Sequence, residues 1–454
     1  MPIRIAVIGA GPAGFYTAAA LFKQDAIDCR VDMFNRLPTP HGLVREGVAP
    51  DHESIKAVTR VFDRTGEDPR FRFFGNVTIG ADLSVDDLLS FYHMIVYAIG
   101  APSDRRLGIQ GEDLAGSDPA TVFVGWYNGH PDFADLVFDL SHERAVVIGN
   151  GNVAVDVTRI LARSVDELAG TDMADHALNA LRHSGVHEIV MLGRRGPAQA
   201  KFTSVELKEF GKLDGVDVKV AAGQLVLDEQ SQTQVDENRG AARNMDILAD
   251  FAGREPSGAE RSIELRFFTS PVEILGVDGR VTGVRVERNR LETGADGQQR
   301  ATGTGELETI NCGLVLRSVG YRGIALPGVP FDEANGVIPN DAGRVTDGPG
   351  GCARPREYAV GWIKRGPSGI IGTNKPDAVE TVESMLADVP ELDADGVNRD
   401  PEAVVHLLQD RKIRYVTYDD WKKIDAVEQA RGEPQGRPRS KIVQVEEMLR
   451  VCGR

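Results

Sequence analysis

The sequence predicts an α/β fold with two Rossmann-like, doubly wound nucleotide-binding units. Three observations carry that expectation. Apolar strand-like runs alternate with helical runs, the rhythm of βαβ units on a parallel sheet, and this rhythm starts twice. Each start is followed at once by a glycine-rich turn that opens a helix. A later apolar strand ending on glycine, His93–Gly100 for the first series and Leu314–Gly320 for the second, is suited to close each sheet and hand the chain onward.

The first series comprises Ile3–Ile8, Ala13–Lys23 and Val31–Phe34, and the second comprises Ala145–Ile148, Val153–Leu161 and Glu188–Leu192. Between Gln224 and Glu308, short β-like runs such as Glu264–Phe268 and Val281–Glu287 alternate with polar turns, which predicts an antiparallel meander inside the second unit. Asp341–Arg356 is dense in Gly, Pro and Asp and reads as an exposed loop. A strand near Tyr358 and a Gly-rich turn reaching Gly372 then lead into a helix over Pro376–Leu386.

With 454 residues, 41% of them hydrophobic, the chain is long enough for two or three domains with ample core. A balance of 52 Lys+Arg against 68 Asp+Glu gives a net charge of -16, which repels polyanions and argues against non-specific nucleic-acid or membrane-surface binding. The four cysteines, Cys29, Cys312, Cys352 and Cys452, form no CxxC pair, so neither a zinc module nor a local redox dithiol is expected. Met1 leads straight into the first strand with no signal-peptide pattern, and no apolar stretch has the length of a membrane span. These features predict a cytoplasmic protein.

Gly9-Ala-Gly11-Pro-Ala13-Gly14 matches the GxGxxG pattern, for which 50 glycines in 454 residues give about 0.6 chance matches. Its place between strand and helix is what lends it weight. There the first Gly permits the tight turn, the second lets a diphosphate approach the backbone, and the third lets helix and strand pack closely. The second strand ends on Asn35, where a ribose-binding acid is expected; an amide still bonds a ribose hydroxyl but brings no charge. Gly149-Asn150-Gly151-Asn152-Val153-Ala154 is a second fingerprint, so two dinucleotides are expected, FAD with a nicotinamide nucleotide being the usual pair. The next strand of that unit ends in Gly193-Arg194-Arg195-Gly196 with no acid, and guanidinium forks suit a phosphate, which selects NADP over NAD.

Thr203 and Glu206 fit a helix capping box, with Glu209 one turn further on the same face. Asp51 after Pro50 reads as a helix N-cap with His52 at N1. The Gly-rich turn between Trp362 and Gly372 would let backbone amides and a helix dipole reach an electron-rich ring edge. His183 and His187 lack the setting of a metal pair, so no metal is expected. No GxSxG nucleophile elbow is present.

These motifs resemble one family, the adrenodoxin-reductase-like ferredoxin–NADP reductases, including the mycobacterial type. The pieces that carry the likeness are LPTPHGLVREGVAPDH, DPRFRFFGNV, GNGNVAVD, GRRGPAQAKFTSVELKE, RSVGYRG, GWIKRGPSGIIGTNKPDA and GEPQGRPR, which span nearly the whole chain. The resemblance implies a discontinuous FAD domain, residues 1–104 and 322–454, with an NADP domain, residues 105–321, inserted in it. It implies an FAD site of the first fingerprint, Leu43, Ile79, Trp362, Gly369, Ile370 and Ile371. It implies an NADP site of Arg105, Asn150, Gly151, Asn152, Val153, Arg194, Arg195, Glu206 and Gly369. His52 and Glu209 match residues placed at the flavin and nicotinamide, where they are expected to tune charge and water. The implied reaction is hydride transfer from NADPH to FAD, then single-electron transfer to a separate iron-sulfur protein, a ferredoxin.

The chain departs from the family pattern at Asn35, where the ribose acid is expected, and at His41, where an aromatic residue is common. An acidic ferredoxin would need a local basic patch, expected at Lys201, Lys208, Lys212, Arg239 and Arg243. Three rivals stand beside this reading: a disulfide reductase, which needs a paired dithiol; a flavin monooxygenase; and an electron-entry subunit or NADPH sensor without turnover of its own.

Overall fold

The computed structural model describes residues 2–454, which form two compact units. The first comprises Met1–Ser103, Asn128–Pro131 and Gly320–Arg454, and the second Asp104–Tyr127 and Asp132–Val319. The short return Asn128–Pro131 is tied into the first unit by Lys441, whose Nζ donates to the Asn128 main-chain oxygen at 3.0 Å. No helix among the described residues is long and apolar enough to cross a membrane.

A seven-stranded sheet organises the first unit, in the order Asn340–Asp341, Arg344–Thr346, Ala353–Ala359, Met94–Tyr97, Ile3–Ile8, Cys29–Asn35, Phe71–Gly75. The five strands from Ala353–Ala359 to Phe71–Gly75 are parallel. Alternate residues of the central strand enter different cores: Ile5 and Val7 join Val31, Met33 and Val96, whereas Ala6 and Ile8 join Phe34, Ile95 and Tyr97. Burial on both faces is why Ile5–Ile8 reads as an unbroken apolar run.

The second unit carries a six-stranded parallel sheet in the order Ser117–Pro119, Leu314–Arg317, Arg144–Ile148, Glu188–Leu192, Arg261–Arg266, Val216–Val220. A separate antiparallel sheet, Thr269–Val277, Arg280–Thr293 and Gln299–Asn311, covers one face of it. Val146, Ile148, Val190 and Leu192 pack there against Ile274, Val281, Val284, Val286 and Ile310.

Two expectations are corrected here. The meander expected over 224–308 occupies only Thr269–Asn311, because helices Glu229–Glu237 and Arg239–Gly253 precede it and Arg261–Arg266 is a parallel strand of the main sheet. Asn244, Leu248 and Phe251 bury one face of the longer helix at helical spacing, a signal that the flanking polar residues dilute. Asp341–Arg356 is not simply a loop: Arg344–Thr346 and the start of Ala353–Ala359 pair as antiparallel edge strands. Pairing across a Gly-rich turn is a tertiary effect that composition does not register.

Candidate dinucleotide sites

In the first unit the strand Ile3–Ile8 leads through Gly9–Gly11 into helix Pro12–Lys23. Gly9 has φ +107, and a Cβ there would stand 2.4 Å from Ala98 O. A Cβ on Gly14 would stand 2.2 Å from Gly9 O, so helix and strand lie too close for a side chain. A Cβ on Gly11, by contrast, would meet nothing within 4 Å. The loop is compressed at its first and third glycines and open at its second.

The second unit repeats this geometry. Gly149 has φ +138 and would place a Cβ 2.1 Å from Ser318 O, while a Cβ on Gly151 would meet nothing within 4 Å. Ala154, the third position, is buried. The backbone contacts match as well: Gly9 N–H donates to Phe34 O and Ala98 N–H to Ile8 O, as Gly149 N–H donates to Leu192 O and Ser318 N–H to Ile148 O. Each loop thus leaves a cradle at its second glycine, beside the amides of a helix start, which fits a diphosphate.

Asn35 turns its amide onto the protein. Its Oδ1 accepts from Ala10 N–H at 3.1 Å and its Nδ2 donates to Leu37 O and Thr39 O, both at 3.0 Å. It therefore clamps the first glycine loop to the segment that carries His41 and Leu43. His41 N–H adds a bond to Ala10 O at 2.7 Å. The His41 ring is buried among Phe15, Phe62 and Trp421, with centroids 5.5, 5.9 and 5.7 Å away. Burial pushes its pKa below the ordinary value, although Asp63, 3.4 Å from Nε2, pulls the other way. His41 is held as a neutral aromatic ring, with φ 84, a conformation for which His is better suited than bulkier rings.

The other residues expected at FAD lie in the same unit. Leu43 starts helix Leu43–Glu46 and is exposed, while Ile79 is buried. Trp362 opens helix Trp362–Arg365, its Nε1 donating to Ser368 O at 3.1 Å and its ring 5.0 Å from Tyr321. Gly369, with φ +79, precedes Ile370 and Ile371 at the entry to helix Asn374–Asp388, which starts two residues before the expected Pro376. Asp377 Oδ2 accepts from Gly361 N–H at 2.5 Å and so fixes the turn before Trp362. Sequence reasoning missed Arg365: Nη2 donates to Asn374 Oδ1 at 2.9 Å, and its buried Nε and Nη1 have no acceptor among the described residues. A guanidinium with two buried nitrogens left so calls for an anion, which a dinucleotide supplies.

His52 is itself the N-cap of helix Glu53–Lys56, one residue later than the expected cap Asp51, and makes no side-chain cap bond.

In the second unit Arg194 is exposed and Arg195 partly buried at the end of strand Glu188–Leu192. Burial, and then the neighbouring Arg194 charge, lower the Arg195 pKa from its ordinary value. Two guanidinia that disfavour each other, on a loop pinned by Asn289 Nδ2 to Arg194 O at 2.7 Å and Phe268 N–H to Arg195 O at 3.1 Å, fit a phosphate. Arg105 is exposed. Asn150 and Asn152 knit the glycine loop to the next segment: Phe202 N–H donates to Asn150 O at 3.0 Å and Thr203 N–H to Asn152 Oδ1 at 2.8 Å. Val153 begins the packing of helix Asn152–Ala162.

Thr203 caps helix Ser204–Phe210 by accepting from Glu206 N–H at 3.4 Å. The expected reciprocal half of the box is missing, because Asn152 already holds the Thr203 amide. The Glu206 carboxylate instead faces Arg159, at 3.7 Å. Glu209 Oε1 accepts from Lys212 Nζ at 2.7 Å.

Two sheets, one parallel and one parallel but for its antiparallel edge, each with a glycine loop open at its second glycine, define an α/β protein that holds two dinucleotides. Residues 3–270 match the family described as pyridine nucleotide-disulphide oxidoreductase. NADPH-ferredoxin reductase FprA of Mycobacterium tuberculosis is 47% identical, the alignment covering 99% of each chain. The mitochondrial NADPH:adrenodoxin oxidoreductase of Arabidopsis thaliana is 41% identical over 99% of this chain and 95% of its own. The structure of Mycobacterium tuberculosis FprA in complex with NADPH superposes over 100% of both chains, with a TM-score of 0.94 and 46% identity. The chain belongs to the pyridine nucleotide-disulphide oxidoreductase family and, within it, to the adrenodoxin-reductase-like ferredoxin–NADP reductases.

Proposed function

We propose that this chain is an NADPH:ferredoxin oxidoreductase, with FAD in the first unit and NADP(H) in the second. The observation that carries it is the pairing of two open glycine cradles with a pair of acid-free arginines at the second one alone. The FAD domain, expected over 1–104 and 322–454, is the first unit, which ends at Ser103, resumes at Gly320 and includes the return Asn128–Pro131; the NADP domain, expected over 105–321, is the second unit.

When bound, the flavin supplies hydride acceptance from NADPH and release of single electrons to an iron-sulfur protein. The chain supplies binding and charge. Gly9, Gly11, Ala13 and Gly14 cradle the FAD diphosphate, with Asn35 clamping the loop from beneath. Leu43, Ile79, Trp362 and Gly369–Ile371 line the flavin side. Asn150–Val153 receive the NADP diphosphate, and Arg105, Arg194 and Arg195 receive its 2′-phosphate end. Glu206 serves the NADP site, and His52 and Glu209 set charge and water near the rings; Lys212 already offsets part of the Glu209 charge. Ferredoxin docks on Lys201, Lys208, Lys212, Arg239 and Arg243, all exposed on the second unit. Free thiols at Cys29, Cys312, Cys352 and Cys452 accord with a cytoplasmic setting.

The family description names disulfide chemistry, which the cysteines here do not favour. Cys29, Cys312 and Cys452 are buried and only Cys352 is exposed. Burial pushes Cys312 up to about 12 and Cys452 to about 11, the opposite of an activated thiol.

The test is anaerobic stopped-flow mixing of the purified protein with NADPH and, separately, with NADH, followed by addition of an oxidised ferredoxin. Rapid flavin bleaching with a strong NADPH preference, then reoxidation by ferredoxin, is expected. A colourless protein, or one inert to NADPH, refutes the proposal; flavin reduction with no electron passed to ferredoxin favours the sensor alternative.

A further inference from the structure

The second unit holds a buried cation that neither the glycine loop nor the Arg194–Arg195 pair employs. Arg159 lies two turns into helix Asn152–Ala162, and its side chain is fully buried at 0% exposure. Nη2 stands 2.8 Å from Asp156 Oδ1 on its own helix, and Nη1 stands 3.7 Å from Glu206 Oε2 on helix Ser204–Phe210. A guanidinium taken out of water is tolerated only when carboxylates compensate it, and removing one member of such a cluster leaves the others uncompensated. Arg159 therefore brings a buried positive charge to two acids beside the glycine loop.

Its link to Glu206 is specific. An acid at the third position of a helix commonly turns back to the N-cap amide, but here the Thr203 amide is occupied by Asn152 Oδ1 at 2.8 Å. With that route closed, the Glu206 carboxylate faces the Arg159 guanidinium, Oε2 standing 3.7 Å from Nη1. Glu206 is itself 8% exposed, so its rotamer is confined. The segment that carries it is stitched to the glycine loop through Asn150 and Asn152. A carboxylate repels a diphosphate and a 2′-phosphate, so on this loop it suits the uncharged carboxamide end of the nucleotide, whose N–H groups it can accept.

We propose that Arg159 is a positioning residue for the nicotinamide half of NADP(H), acting through Glu206. The inference rests on the NADP(H) reading of the second unit. In its terms, the arginine pair at the end of Glu188–Leu192 grips the adenosine half, and the Arg159–Glu206 pair selects how the other half lies.

The test compares binding of NADP+ with that of 2′,5′-ADP, which lacks the nicotinamide, to the holoprotein by titration calorimetry. In Arg159→Gln, NADP+ is expected to bind about tenfold or more weakly, while 2′,5′-ADP changes by less than about twofold. Glu206→Gln should show the same selective loss, and the double variant should lose little more than either single one, because the two act as one unit. Arg159→Lys, which keeps the charge without the fork, should recover most of the NADP+ affinity. Should Arg159→Gln fail to fold, Arg159→Lys carries the comparison: a loss of a few fold in NADP+ alone that vanishes in the Glu206→Gln background supports the proposal. Equal losses for NADP+ and 2′,5′-ADP, or additive losses in the double variant, overturn it. Wild-type protein that binds neither ligand overturns the NADP(H) reading itself, a result distinct from loss of discrimination in the variants.

Discussion

Single residues divide sharply into those that shape the backbone and those that meet a ligand, and the glycines separate the two. Gly9→Ala drives a Cβ to within 2.4 Å of Ala98 O and adds strain at φ +107, so it should destabilise the first unit by about 2–4 kcal/mol, measured by urea unfolding of the apoprotein. Gly11→Ala meets no protein atom and should leave that unfolding midpoint unchanged while lowering FAD affinity at least tenfold, or about 1.4 kcal/mol. His41 gives a pH dependence of known sign. Burial depresses its folded pKa below 6.5, so the stability it contributes is present above pH 6.5 and is lost as pH falls through the depressed value. His41→Phe removes the ionisation, and the unfolding midpoint of the variant should therefore decline less than wild type between pH 6.5 and 5. At the second cradle, Arg194→Ala and Arg195→Ala should each raise the KM for NADPH about tenfold to hundredfold and leave that for NADH nearly unchanged.

At the scale of elements, buried charge holds distant segments of the first unit together. Arg45, on Leu43–Glu46, forms a two-point pair with Glu428, on helix Tyr418–Gly432, at 2.6 and 2.9 Å. Burial alone would raise the Glu428 pKa, but the Arg45 guanidinium overrides it and holds the carboxyl below its ordinary value. Lys441 Nζ donates to Arg45 O at 3.1 Å, so three separate stretches of chain converge beneath Leu43. Glu428→Ala leaves an uncompensated guanidinium and should cost about 3–5 kcal/mol, with loss of FAD on gel filtration preceding global unfolding in a denaturant series. In the second unit the antiparallel sheet Thr269–Asn311 buries the outer face of the parallel strands and also pins the Arg194–Arg195 loop through Phe268 and Asn289. The element that completes the core thus also fixes the proposed 2′-phosphate site.

Across the whole molecule, a net charge of -16 accompanies the exposed Lys201, Lys208, Lys212, Arg239 and Arg243 of the proposed docking patch on the second unit. Helices Ser204–Phe210 and Arg239–Gly253 are joined where Ser204 Oγ donates to Gly240 O at 3.3 Å, and Lys208, Arg239 and Arg243 are exposed on them. Exposed Val205 adds an apolar spot beside these charges. For an acidic iron-sulfur partner such a patch steers encounter against the general repulsion. The double reversal Arg239→Glu and Arg243→Glu should raise the KM for ferredoxin and flatten its salt dependence, with NADPH reduction of an artificial dye acceptor unchanged. A ferredoxin KM that stays put at low ionic strength would rule the patch out.

Features that depend on local periodicity and on residues adjacent in the chain can be read from the amino-acid order. The doubled βαβ rhythm, the two GxGxxG-like turns and the missing acid at Arg194–Arg195 were legible because strand, turn and helix signals there lie within about ten residues of one another. Everything else followed from the packing of distant segments. It turned the Asn35 amide onto Ala10, Leu37 and Thr39, bonded the Thr203 amide to Asn152 in place of a capping box, and brought Arg159 to Glu206 and Arg45 to Glu428 across long stretches of chain. It also made edge strands of a Gly-rich segment and helices of a polar one. A charge pair or a strand pairing is fixed by which groups must be compensated once water is excluded, and that depends on which segments share a core.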